Sequence, residues 1–141
     1  MDKPKRQIFV FGSNTAGIHG AGAALYALKY HGALMGCGYG HMGNSFAIPT
    51  KGGTNFIGRS LKVDQIKGFV DGFLTYAAHR PDLIFNVTRI GCGLAGHKDA
   101  DIAPLFQVAT RHTYRNVYLD TVWKEHLDDP HEVNYNYWGT Y

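Results

Sequence analysis

The chain has 141 residues, a formal net charge of +3 and a pI near 8.9. That length holds one domain around one core, and 45% apolar with 18% charged residues excludes a disordered chain. No apolar run approaches the roughly 18 residues of a membrane span. The charged start, Met1 to Arg6, lacks the apolar segment of a signal peptide. Two cysteines, Cys37 and Cys92, make no disulfide framework, so a reducing cytoplasm is expected. The histidines show no HxxxH pair and the cysteines no paired spacing, so no metal and no cofactor are expected. The mild basicity permits a phosphate-bearing ligand. It does not argue for nucleic acid, because no Lys/Arg stripe is present.

Gln7 to Phe11 is a nearly continuous apolar run ended by Gly12, which predicts a buried, central, parallel strand. A loop of small residues follows, with Ser13, Asn14, Gly17, Gly20, Ala21 and Gly22, and leads into a helix predicted from Ala23 to His31. Small residues at a helix start let an anion lie against its N-terminus. The pattern is neither GxGxxG nor a Walker A loop. Gly32 to Gly43 reads as an irregular loop in which His41 and Tyr39 are surface or ligand-touching residues.

Ser45 to Pro49 predicts the next strand, followed by Thr50, Lys51 and a loop running from Thr54 to Arg59. Asp64 is a good N-cap for a helix from Gln65 to His79, in which Ile66, Phe69, Val70, Phe73 and Ala77 share one face. Gly68 and Gly72 weaken that helix by about 1 kcal/mol each relative to Ala, and would permit close approach of a neighbour. Leu83 to Val87 is a strand, and Ala100 to His112 a helix that carries Pro104 in its first turn. Between them lie Arg89, Ile90, Gly91, Cys92, Gly93, Leu94, Ala95 and Gly96, a strand–glycine loop–helix arrangement that brings amide N–H groups close to a phosphate. Asn116 to Leu119 is the last predicted strand. An aromatic tail, Leu127 to Tyr141, packs on the domain (1–126) or on a partner.

Strands alternate with helices, which predicts an α/β fold with three layers and a mixed, mainly parallel sheet between helices. Both glycine loops and Lys51 follow strands, so they share one sheet edge and form one site.

With these motifs in order, the chain resembles the macrodomain superfamily, which binds ADP-ribose. It is similar to the branch containing terminal ADP-ribose glycohydrolases and the DNA ADP-ribosyl glycohydrolase antitoxin, and to small phage macrodomain-like proteins. The resemblance rests on Phe11-Gly12-Ser13-Asn14 with Gly20-Ala21-Gly22-Ala23-Ala24, on Ile48-Pro49-Thr50-Lys51, and on Arg89-Ile90-Gly91-Cys92-Gly93-Leu94-Ala95-Gly96. It implies a pyrophosphate held by the loops Gly17 to Gly22 and Gly91 to Gly96, and a distal ribose near Asn14 and Lys51, the catalytic candidates. Gly12, Ser13 and Thr50 complete the implied ligand-binding set.

In that branch the lysine matching Lys51 acts at the anomeric carbon of the ribose. The glycohydrolases place an Asp where this chain has Ala95, and the DNA-directed relatives lack it too. Asp99 or His97 stand as replacements for that acid. Cys92 is a nucleophile or a small packing residue. Asn14 is a ligand contact or a turn residue.

Three functions compete on this reading. The first is a hydrolase releasing ADP-ribose from DNA, protein or a small derivative. The second is a module that sequesters an ADP-ribose-like or cyclic nucleotide, as in a phage counter-defence. The third is an interaction protein, with homo-oligomerisation through the tail. No membrane partner is expected.

Overall fold

The computed structural model describes residues 4–52 and 59–141. Arg6–Asn14 forms β1 at the centre of the sheet. Both of its faces are covered: Ile8 and Val10 join one apolar cluster and Phe9 and Phe11 the other. That double burial is why the run is apolar without alternation. Gly22–Tyr30 forms α1, Gly40–Met42 β2, Ser45–Gly52 β3, Arg59–Ser60 β4, Val63–Ala78 α2 and Leu83–Val87 β5. Asp99–Ile102 forms α3, continued by a 3-10 turn at Ala103–Phe106. Val117–Asp120 forms β6, Lys124–Leu127 α4 and Asn136–Gly139 β7.

The strand order is β2-β3-β1-β5-β6-β7, with β4 also paired to β3. From β3 across to β7 neighbouring strands run parallel, whereas β2 and β4 are antiparallel to β3. On one face Ala24 and Ala27 of α1 pack on Phe9, Phe11 and Ala47. On the other, α2, α3 and the 3-10 turn cover Ile8, Val10, Ile48, Phe85 and Leu119. The result is the mixed, mainly parallel sheet between helices that the alternation of elements predicts. No described helix is long and apolar enough to cross a membrane.

Three local expectations change, and a fourth falls outside the described residues. The segment Gly32 to Gly43 is not wholly irregular, because Met42 pairs with Ser45 across the two-residue turn Gly43-Asn44, and β2 forms as one arm of a hairpin. The N-cap of α2 is Lys62 rather than Asp64: the Gln65 carboxamide reaches back to accept the Lys62 N–H at 2.9 Å, and Asp64 lies in the first turn. The helix expected to His112 stops early. Pro104 has no N–H to continue α-type bonding, so the chain tightens to 3-10 geometry, with Gln107 N–H on the Pro104 carbonyl at 3.1 Å. The loop expected from Thr54 falls largely on residues 53–58, outside the described residues.

The aromatic tail contributes a strand. β7 pairs parallel with β6, Trp138 Nε1 donates to the Val87 carbonyl at 2.9 Å, and Tyr135 is buried in the larger cluster. Gly72 serves the close approach its position implied. A Cβ there would lie 2.3 Å from Tyr39 Oη, which donates to the Phe69 carbonyl at 2.7 Å.

Phe73 is fully buried and its ring meets Phe46 at 4.9 Å and Phe85 at 5.4 Å between centroids, so it ties α2 to two strands. Phe73→Ala is expected to cost about 3–5 kcal/mol. Urea denaturation measures it, and a loss below about 1 kcal/mol would mean that the sheet and α2 collapse onto the space.

Candidate functional site

β1 and β5 are parallel neighbours, and the chain leaves their carboxyl ends in opposite directions. After β1 it passes to α1 on one face; after β5 it passes to α3 on the other. Divergence of two adjacent loops opens a crevice at the sheet edge, the usual ligand position in open α/β sheets. Here the crevice is a cavity of about 580 Å³. Both glycine loops line it, with Thr50 and Lys51 from the end of β3.

The loop after β5 is folded on itself by three backbone bonds. Cys92 N–H meets the Arg89 carbonyl at 3.1 Å, Gly96 the Gly93 carbonyl at 3.0 Å, and His97 the Gly91 carbonyl at 2.8 Å. Gly91 sits at φ +73°, a left-handed conformation that favours glycine. Among the described residues, the N–H groups of Gly91, Gly93, Leu94 and Ala95 donate to no protein acceptor. Across the cavity, Gly20, Ala21 and the first N–H groups of α1 are equally unpaired, because Ala21 at the N-cap offers no side-chain acceptor. The two loops come close: a Cβ on Gly22 would lie 3.8 Å from Leu94 Cδ1. Beneath them, a Cβ on Gly12 would lie 3.3 Å from the Gly91 nitrogen. Opposed sets of open amides are what an extended anion such as a pyrophosphate requires.

The side chains near the loops largely hold the loops. Asn14 bonds twice to Ile18, accepting the Ile18 N–H at 3.0 Å and donating to the Ile18 carbonyl at 2.7 Å. It therefore braces the turn while lining the cavity, and stands opposite Lys51 in the β1–β3 register. That register slips by one residue between Ser13 and Asn14, so Thr50 is the extra residue; its hydroxyl donates to the Ser13 carbonyl at 3.2 Å. Gly17 does not reach the cavity. It packs on the Gly36–Cys37 backbone, where a Cβ would lie 2.3 Å from the Cys37 nitrogen.

Of the residues singled out from sequence, the cavity brings together Gly12, Ser13, Asn14, Gly20, Ala21, Gly22, Thr50, Lys51, Gly91, Cys92, Gly93, Leu94 and Ala95. It leaves out Gly17 and Gly96. His41 and Tyr39 are also elsewhere, bound to Tyr76 and to α2. Sequence reasoning did not pick Ile18, Thr88, Arg89 or Tyr141 as site residues, yet all four line the cavity. Arg89 lay inside the glycine-loop motif and was visible there. Tyr141 had no local signal: Tyr141 N–H and the Thr140 hydroxyl bond to the Asp120 carboxylate at the end of β6, and the Tyr141 ring packs on Phe9 and Tyr26.

The charged side chains lining the described cavity are Lys51 and Arg89, and no carboxylate accompanies them. Arg89 is held by Asp99, with Nε at 2.8 Å and Nη2 at 2.5 Å from the two carboxylate oxygens. Trp123 Nε1 adds a bond to Asp99 at 2.8 Å. The Arg89 hydrogen bonds hold the Asp99 carboxyl down at about 2, against the effect of burial. Asp99 is thus committed to Arg89 and Trp123. His97 is committed to the Leu61 carbonyl at 2.7 Å. Neither lines the cavity or replaces the acid absent at Ala95. Burial, then the nearby Asp99 charge, pushes the Cys92 thiol up to about 12, so it is no thiolate nucleophile at neutral pH. Ser60 Oγ donates to the Ala95 carbonyl, tying β4 to the loop.

Among the described residues no three His, Cys, Asp or Glu side chains gather as a metal site needs. The chain matches no protein-family model, no curated protein and no solved structure.

The Asp99 ion pair has a pH signature. Its carboxyl titrates lower in the folded chain than in the unfolded chain. Its contribution is therefore intact above about pH 4 and is lost as pH falls toward 2. Asp99→Asn should lower stability at pH 7 and narrow the gap to wild type at pH 3, read from urea midpoints at both values. A constant gap would contradict the pairing. For Cys92, alkylation with iodoacetamide at pH 7.5 followed by mass spectrometry should leave the folded protein unlabelled at that position. Rapid labelling there would show a reactive thiolate.

Proposed function

We propose that the protein binds ADP-ribose or a closely related nucleotide in the crevice between the β1 and β5 loops. One observation carries the reading: two loops with unpaired backbone amides line one cavity whose charged lining, among the described residues, is Lys51 and Arg89. A pyrophosphate suits the open amides of the two loops, and no carboxylate among the described lining residues opposes it. The Tyr141 ring at the wall suits stacking of a base. The motif resemblance agrees with this assignment of parts.

On the same reading Lys51 acts on the distal ribose. As the free amine, its Nζ attacks the anomeric carbon and the bond to the attached DNA, protein or small group breaks. The leaving atom takes the proton lost by the amine, and water then releases ADP-ribose and restores Lys51. A carboxylate-assisted hydrolysis has no support, since the lining carries no acid. That same lack favours a second reading, in which the nucleotide is held and sequestered without turnover.

Calorimetry with ADP-ribose and with adenosine separates binding from its absence. ADP-ribose should bind, and adenosine, lacking the pyrophosphate, should be much weaker; no heat at millimolar ADP-ribose would sink the reading. At 100 times its dissociation constant the ligand should stabilise the fold by about 2.7 kcal/mol. Incubation with ADP-ribosylated DNA and protein then decides turnover. Release by wild type that Lys51→Ala abolishes, with binding retained, supports hydrolysis. Tight binding with no release from any substrate supports sequestration.

A further inference from the structure

His19 has no place in the phosphate clamp, yet it is fully buried and pinned at both nitrogens. Nε2 lies 2.8 Å from the Leu34 carbonyl and Nδ1 lies 3.0 Å from Ser13 Oγ. The ring also stands edge-on to Phe11 at 5.3 Å between centroids, which fixes its plane. A carbonyl can only accept, so Nε2 carries the hydrogen. In the neutral imidazole Nδ1 is then bare and can only accept. Ser13 must therefore donate its single hydroxyl hydrogen to Nδ1.

Ser13 lines the cavity although it is itself only 5% exposed. With its hydrogen committed inward, its oxygen has only lone pairs left for a ligand. We propose that His19 makes Ser13 an obligate hydrogen-bond acceptor, so that this corner of the cavity selects a ligand hydroxyl and disfavours a bare phosphate oxygen. A hydroxyl donates into those lone pairs; a phosphate oxygen meets them as like charge.

The position divides the cavity by chemistry. Open amides of the two glycine loops take the anion. Ser13 lies one residue before Asn14, which is paired in register with Lys51. The hydroxyl-accepting corner is therefore at the Lys51 end. Resting on the nucleotide reading above, the group selected is a hydroxyl of the distal ribose. Ser13 is thus a specificity-determining residue and His19 a positioning residue that acts through it.

Two measurements test this independently. Long-range 1H–15N NMR of the wild-type protein at pH 8 reads the His19 tautomer without any ligand. A hydrogen on Nε2 with Nδ1 bare is expected, and a hydrogen on Nδ1 overturns the proposal. Calorimetry then compares ADP-ribose with analogues in which either distal-ribose hydroxyl is replaced by hydrogen. Wild type should lose roughly 10-fold in affinity for one analogue, the size of one hydrogen bond. Ser13→Ala should bind that analogue and ADP-ribose alike. His19→Phe, which keeps Ser13 but frees its hydroxyl to rotate, should also lose the discrimination. Equal affinity of wild type for all three ligands, or discrimination that survives Ser13→Ala, overturns the proposal. If wild type binds no ADP-ribose at all, the nucleotide reading fails, while the NMR result still decides whether Ser13 is confined to accepting.

Discussion

Parallel pairing of β1 with β5 is the contact on which the cavity depends. It sets two carboxyl ends side by side, and burial of both faces of β1 forces the following segments onto opposite sides of the sheet. A loop that turned the other way would leave Phe9 and Phe11, or Ile8 and Val10, exposed to water. The crevice is therefore a by-product of covering a strand that is apolar on both faces. Gly12 lets the two loops meet at its floor. A side chain there would press on the Gly91 nitrogen and on Thr50 Oγ1, 3.3 and 3.4 Å from its Cβ.

Around this crevice side chains and backbone divide the work. Asn14 spends its carboxamide on Ile18, Asp99 its carboxylate on Arg89 and Trp123, and His97 its ring on Leu61. Each is a polar group beside the site whose bonding capacity goes into shaping a loop. What remains open among the described lining residues is backbone N–H, with the Lys51 side chain. Trp123 is fully buried beside Phe106, so the Asp99–Trp123 bond fastens the phosphate-type loop to the core itself. A site made in this way is stiff, because its donors are fixed by strands and turns rather than by rotamers.

The chain order of strands, and the glycine loops after them, were legible because parallel strands with helical crossovers place all carboxyl ends on one edge. That rule alone gathered Gly12, Lys51 and Gly91 without any knowledge of distance. The helix after the β5 loop is shorter than its sequence predicts, because Pro104 is tolerable in a first turn by pattern but the backbone converts there to 3-10 geometry. β2 was hidden by composition: the Gly43-Asn44 hairpin signal sits in a run so rich in glycine that no single turn stands out. The engagement of Asn14 with Ile18, of Arg89 with Asp99 and of His19 with Ser13 was not legible. Each depends on how a loop folds back over four to ten residues, which periodicity does not encode. Tyr141 was invisible for another reason. It reaches the cavity through pairing of β7 at the far edge of the sheet, a long-range event with no local sequence mark.

That route couples one wall of the cavity to the edge of the sheet. β7 is the last strand on its side of the sheet and, among the described residues, pairs with β6 alone. Were that pairing lost, Tyr141 would leave the wall and the cavity would lose an aromatic side, although neither glycine loop belongs to that edge. An occupant touching that ring would favour the paired strand. Edge and cavity are then linked through Tyr141, so that slower amide exchange along β7 would report on a ligand without any probe in the site.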